Sequence, residues 1–149
     1  MSRYRDELKV RDARTAYFAT SGFAADGGYG ERWVFLKAGG RTVFAFPNTA
    51  ARVRAVRFHD IHHVLTEYDT SWTGEAEIAA WELAAGCGRH YAAWVLNIGA
   101  AAIGLVVAPR RVFRAFMRGL RSRTLYRDEF TDALLEQSVG ELRLRLKLK

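Results

Sequence analysis

The sequence predicts a mainly α-helical fold, one compact helical domain with a short β-hairpin near its N-terminus. Three observations predict it. Long stretches over 49–68, 74–85 and 91–108 run without proline and carry helix-compatible patterns. β-Branched and aromatic runs at strand length occur as one neighbouring pair, Trp33 to Leu36 and Thr42 to Phe46. The chain has 149 residues, 50% hydrophobic and 26% charged, the size and balance of a single folded domain.

Taken in order, Tyr4 to Ala19 mixes charged and apolar positions with neither Gly nor Pro, which suits a first amphipathic helix. Ser21 to Gly30 is glycine-rich and reads as a flexible connector, since it lacks the Gly-x-Gly-x-x-Gly and Gly-Lys-Ser/Thr spacings of nucleotide sites. The two strand-like runs flank Lys37-Ala38-Gly39-Gly40-Arg41, a hairpin turn, and Pro47 ends the second run. One long helix is expected from Thr49 to Tyr68 and a second from Gly74 to Ala85, with Asp69 to Thr73 supplying the connection and N-cap.

Tyr91 to Ala108 holds eighteen residues without a charge. A membrane span needs about 20 apolar residues, and this one is rich in Ala and Gly, so the first reading is a buried helix and the second a transmembrane one. Arg110 to Tyr126 is a basic amphipathic helix. Phe113, Phe116, Met117 and Leu120 form a stripe expected to face the core, and Arg111, Arg114, Arg118 and Arg121 take the other side, open to lipid phosphates or an anionic substrate head. The tail offers two patterns: Ser138 to Glu141 has capping-box spacing, while Leu142 to Lys149 alternates as a strand would.

The net charge is +7, carried by four lysines and nineteen arginines against 16 acids, which points to a polyanion or an anionic membrane surface as partner. Nucleic acid is set aside, because no recognition-helix, zinc-finger or RNA-binding signature accompanies the charge. The lone Cys87 cannot form an internal disulfide, and the first residues lack an apolar signal core, so a reducing cytoplasm is expected.

The chemistry concentrates in His59-Asp60-Ile61-His62-His63. On a helix His59 and His63 stand one turn apart and can converge on one ion, with Asp60 on an adjoining stripe. Glu75 follows after eleven residues, enough for a turn and the start of a helix folded back alongside. Two imidazoles with one or two carboxylates suit a divalent metal, zinc first and iron, manganese or cobalt as well, with positions left for water or substrate. A lone His-x-x-x-His is common in ordinary helices; Asp60 and Glu75 lift this one above that background. It is not the zinc-protease His-Glu-x-x-His, since its acid is Asp and no third His follows. His62 reads as a helix-face residue or a support for the ligands, His90 as a helix-end residue, and Cys87 as a thiol at a helix C-terminus where the dipole disfavours thiolate.

His59-Asp60-x-x-His63, eleven residues, then Glu75, within Gly74-Glu75-Ala-Glu-Ile-Ala-Ala-Trp81-Glu82-Leu83, resembles the signature of the ubiquinone (coenzyme Q) biosynthesis family Coq four. Phe116-Met-Arg118-Gly119-Leu-Arg121 and Leu134 to Arg143 look like that family's arginine-rich helix and last helix. The similarity is clearest over 50–146 of a single domain, and the chain reads as a short bacterial homologue; 21–46 has no clear counterpart. The resemblance implies a helical protein peripheral to the inner face of the membrane, with a tunnel for a polyprenyl tail near a metal ion. The metal set would be His59, Asp60, His63 and Glu75, with Asp60 and Glu75 as catalytic groups. The activity implied is oxidative decarboxylation of a polyprenylated hydroxybenzoate, C1 carboxylate to hydroxyl. Its partners would be a prenylated aromatic lipid, the membrane surface and other quinone-biosynthesis enzymes, with a homodimer left open. The alternative is a non-catalytic lipid-binding scaffold that organises those enzymes.

Overall fold

The computed structural model of the chain describes residues 3–149. Seven helices and one two-stranded hairpin follow in the order α1 Val10–Ser21, β1 Trp33–Ala38, β2 Arg41–Pro47, α2 Ala50–Thr66, α3 Trp72–Ala85, α4 Tyr91–Val107, α5 Pro109–Gly119, α6 Asp132–Glu136 and α7 Val139–Arg145.

Local chemistry sets the helix ends that frame the site. Thr49 caps α2 by accepting the N–H of Arg52, and the helix ends where Glu67 turns left-handed at φ 65°. Ser71 caps α3 by accepting the N–H of Gly74, at 3.1 Å. Only glycine fits at Gly74, because a Cβ would stand 2.2 Å from the carbonyl oxygen of Asp69. α1 starts at Val10, later than expected, because the chain before it is tied elsewhere: the Glu67 carboxylate accepts the N–H groups of Arg3 and Tyr4.

α3 is the centre of the molecule, with α4 and α5 packed against it. Small residues bring the backbones together: a Cβ on Gly104 of α4 would lie 2.3 Å from that of Ala76, and one on Gly119 of α5 would lie 2.4 Å from the Trp81 carbonyl oxygen. α1, α2 and α7 close the other side around Val10, Ile61, Val64, Leu65, Val139 and Leu142. Arg143, on α7, is buried and binds the Val64 and Leu65 carbonyls, the Tyr4 carbonyl, Asp6 and Glu67, locking the C-terminal end of α2 to both ends of the chain.

Three expectations are corrected. α4 is not a buried helix: Ala93, Asn97, Ala101 and Gly104 face inward, while Val95, Ile98, Ile103, Leu105, Val106 and Val107 are exposed. Close contact with α3 selects the small-residue face and leaves the large side chains outside. Nor is α4 a membrane span; among the described residues no helix is long and apolar enough to cross a bilayer. The stripe of Phe113, Phe116, Met117 and Leu120 does not face the core either; Val112, Ala115 and Gly119 do, for the same reason. In the tail the capping box prevails over the alternation: Ser138 and Glu141 exchange both capping bonds and start α7. The hairpin pairs Trp33 with Pro47 and Leu36 with Phe44, and leaves Trp33, Phe35, Val43 and Phe44 exposed.

Candidate metal centre

α2 presents His59 and His63 one turn apart, and α3 runs back alongside to bring Glu75 opposite them. His59 Nε2 lies 3.1 Å from His63 Nε2 and 3.4 Å from Glu75 Oε2; His63 Nε2 lies 3.3 Å from Glu75 Oε1. The three candidate ligand atoms fall within 4.8 Å of one another. His63 is buried, whereas the Glu75 side chain is 39% exposed, so the cluster opens to solvent on the Glu75 side.

Both rings are aimed from behind. His63 Nδ1–H donates to the Tyr68 carbonyl at 2.8 Å, and Tyr17 stacks on the imidazole with centroids 5.3 Å apart. His59 Nδ1–H donates to Glu82 Oε1 at 3.0 Å. Each Nε2 is thereby left to face the centre. Imidazoles anchored through Nδ1–H to a carbonyl or carboxylate are the arrangement that orients metal ligands and raises their basicity.

Glu82 is the hub of this support. Its side chain is wholly buried, and Oε1 also accepts from His62 Nδ1–H at 2.6 Å. Oε2 accepts from Asn97 Nδ2 at 2.6 Å and the Tyr126 hydroxyl at 2.8 Å. Burial opposes this charge, but the His59 charge and the hydrogen bonds from His59 and His62 hold the carboxyl well below the usual range. His62 is neutral with its proton on Nδ1, because Nε2 accepts the Leu125 N–H at 2.9 Å; burial lowers its pKa further.

The site's charges follow from the same contacts. Burial disfavours an imidazolium at His59, yet the Glu82 charge and hydrogen bonds to Glu75 and Glu82 raise its pKa well above the ordinary value. Burial likewise opposes charge on Glu75, and the bonds from His59 and His63 hold it far below the carboxylate range.

Asp60 stands beside this group and is not one of the three converging residues. It is buried, which raises its pKa, and its Oδ2 accepts the Tyr29 hydroxyl at 2.5 Å. Tyr29 comes from the glycine-rich segment, which is thereby tied to Asp60 on α2. No signal in the sequence singled it out. Glu82 was legible in principle, since it lies seven residues after Glu75 and so on the same stripe of one helix.

The four arginines separate. Arg111 forms a two-point pair with Glu77, at 2.6 and 3.1 Å. Arg118 donates to the Thr66 carbonyl at 3.1 Å and lies over the Tyr68 ring. Arg114 and Arg121 are exposed beside an open groove. His90 precedes α4 and packs on Phe58 and Tyr126. Cys87 is buried, accepts from Asn97 Nδ2 at 3.5 Å, and is pushed up to about 12 by burial, so it is a thiol.

The donor set fits a divalent cation: two oriented neutral-capable imidazoles, an ionised carboxylate and an open side. In comparisons with protein-family models, curated proteins and solved structures, none matches this chain.

Proposed function

We propose that the chain is a metal-dependent enzyme of prenyl-quinone biosynthesis, acting on a polyprenylated hydroxybenzoate at the membrane surface and exchanging its C1 carboxylate for a hydroxyl. The convergence of His59 Nε2, His63 Nε2 and the Glu75 carboxylate carries this reading, together with the motif's resemblance to the Coq four family. The donor set suits zinc first, with iron, manganese or cobalt compatible.

A divalent ion held by these residues supplies Lewis-acid charge for a ring carboxylate and its neighbouring oxygens. Exchange of carboxylate for hydroxyl releases carbon dioxide and is a two-electron oxidation, so an oxidant of the class of dioxygen is the co-substrate: water supplies the hydroxyl oxygen, and dioxygen takes the two electrons and leaves as hydrogen peroxide. Glu75 sits at the open side, where an incoming ring meets it first. Asp60, with its raised pKa and the Tyr29 hydroxyl beside it, is placed to hold or pass a proton near the ring. The exposed apolar side of α4 provides surface for a prenyl tail.

The same apolar surface, with the exposed hairpin, supports a second reading: a lipid-binding scaffold for other quinone-biosynthesis enzymes in which the metal is structural.

The metal content of purified wild type is compared with that of His63→Ala and the milder Glu75→Gln. Near-stoichiometric metal in wild type, lost in the variants, is expected, followed by carbon dioxide release from a prenylated hydroxybenzoate. No metal in wild type after supplementation overturns the reading. Asp60→Asn that keeps metal, lipid and fold and leaves pathway flux unchanged favours the scaffold.

A further inference from the structure

An open groove of about 410 Å³ lies between α5 and the C-terminal tail. Arg114, Arg118, Arg121 and Lys147 line it, with Phe113, Met117 and Leu148 as its apolar part and no carboxylate among the lining residues. Several other surface cations are neutralised nearby: Lys9, Arg11, Arg111, Arg145 and Lys149 each meet a carboxylate. The four groove cations have no ion pair among the described residues. Like charges gathered without a counterion repel one another, and an anion between them removes that repulsion.

The fold fixes the side chain of one of the four and the backbone of a second. Arg118 is anchored by its bond to the Thr66 carbonyl and by the Tyr68 ring beneath it, which leaves its other N–H groups to point elsewhere. Lys147 occupies the left-handed residue of the turn that ends α7, at φ 59°. Its N–H bonds to the Leu144 carbonyl, and that of Leu148 to Arg143, the two bonds of a Schellman motif in which glycine is usual. A lysine at that position puts a long cation beside the groove.

We infer that this groove binds a phosphate monoester carrying an apolar chain, with the phosphate among Arg114, Arg118, Arg121 and Lys147 and the chain against Phe113 and Met117. Guanidinium forks match phosphate oxygens, and exposed Phe113 and Met117 offer the chain a surface. The same chemistry is carried by a phosphatidate headgroup and by a soluble alkyl or prenyl phosphate. The inference stands apart from the metal reading, since no groove residue is a candidate ligand.

The test is calorimetric titration of the full chain with dodecyl phosphate below its micelle concentration, alongside inorganic phosphate and dodecyltrimethylammonium. Saturable binding of dodecyl phosphate is expected, with inorganic phosphate weaker and the cationic amphiphile silent. The double variant Arg114→Gln/Arg121→Gln is expected to weaken binding about tenfold or more, whereas Arg111→Gln, outside the groove, leaves it unchanged. Lys147→Gly relieves the left-handed backbone, so it folds at least as well as wild type and still binds more weakly. Retention on phosphatidylcholine vesicles only when they contain phosphatidic acid assigns the lipid source, and titration without retention assigns the soluble one; either supports the site. Wild-type affinity in the double variant overturns it, as does equal affinity for inorganic phosphate. Tighter binding of an oligouridylate that is lost in the same variants overturns it in favour of nucleic acid. Metal content, measured on the same samples, stays at the wild-type value whichever result is found, so the two readings fail separately.

Discussion

His59 Nε2 and His63 Nε2 face each other at 3.1 Å, each ring turned that way by the acceptor of its own Nδ1–H. Two imidazole lone pairs do not approach so closely unless a proton or a cation lies between them. In the metal-free protein that proton belongs to His59, whose pKa is raised well above its ordinary value once the Glu82 and Glu75 contacts overcome burial. A metal ion bound between the two rings would take the place of that proton.

Zinc binding near neutral pH is accordingly expected to release about one proton from His59. Titration calorimetry in two buffers of different ionisation enthalpy measures this directly. Because the pKa is raised, affinity increases with pH by about tenfold per unit up to that raised value and levels off above it. Binding with no proton release at pH 7 would show that His59 is already neutral and remove the competition.

Glu82→Gln is expected to damage both fold and site. The carboxylate accepts from His59, His62, Asn97 and Tyr126. An amide must turn its NH₂ toward donors, leaving at least one buried group without an acceptor. The expected loss is about 3 kcal/mol or more in urea unfolding, with zinc affinity falling about 10- to 100-fold against a competing chelator. Glu77→Gln, at the Arg111 pair outside the site, is the control that leaves zinc affinity at the wild-type value.

Tyr29→Phe removes the one hydroxyl bonded to Asp60 Oδ2 and leaves a buried carboxylate short of a donor. The expected cost is about 1–3 kcal/mol near pH 7, read by chemical denaturation, with zinc content retained. The pH dependence has a definite sign. Burial raises Asp60 above its unfolded value and the Tyr29 bond lowers it, so the variant's carboxyl is raised further. A group raised in the folded state favours folding when protonated, so the penalty shrinks as pH falls through the raised value toward the unfolded one. A penalty constant from pH 7 to pH 4 would separate Tyr29 from the Asp60 charge.

The helical class, the hairpin and the pair His59 and His63 with Glu75 were readable because each rests on short-range spacing. One-turn separation of two histidines and a return stroke of eleven residues leave little freedom. Glu82 was harder: it sits in an apolar context, Ala-Ala-Trp81-Glu82-Leu83, where a carboxylate is expected to need a partner, yet its four donors come from α2, α4 and the segment after α5. Tyr29 was not readable at all, since a glycine-rich loop can lie anywhere. The faces of α4 and α5 were misread for one reason. Hydrophobic stripes report what prefers burial, whereas helix contact here is decided by how closely backbones approach, and that favours Ala101, Gly104, Ala115 and Gly119 over Phe113 and Phe116.

That preference has a test of opposite signs. A Cβ at Gly104 would stand 2.3 Å from the Ala76 Cβ and 2.8 Å from Val112 Cγ2, and one at Gly119 would stand 2.4 Å from the Trp81 carbonyl oxygen. Alanine at either position forces α4 or α5 away from α3 and is expected to cost about 1–3 kcal/mol by overpacking. Gly99 lies on the same α4, but a Cβ there meets nothing within 4 Å. Gly99→Ala gains helix propensity without a clash and is expected to stabilise by up to about 1 kcal/mol. Chemical denaturation of the three variants reads both signs in one experiment. Ala76 adjoins Glu75 and Trp81 adjoins Glu82 on α3, so both clashing variants are expected to lose zinc affinity along with stability, whereas Gly99→Ala keeps it. Equal stability of all three alanine variants would mean that α4 and α5 do not make this close contact with α3.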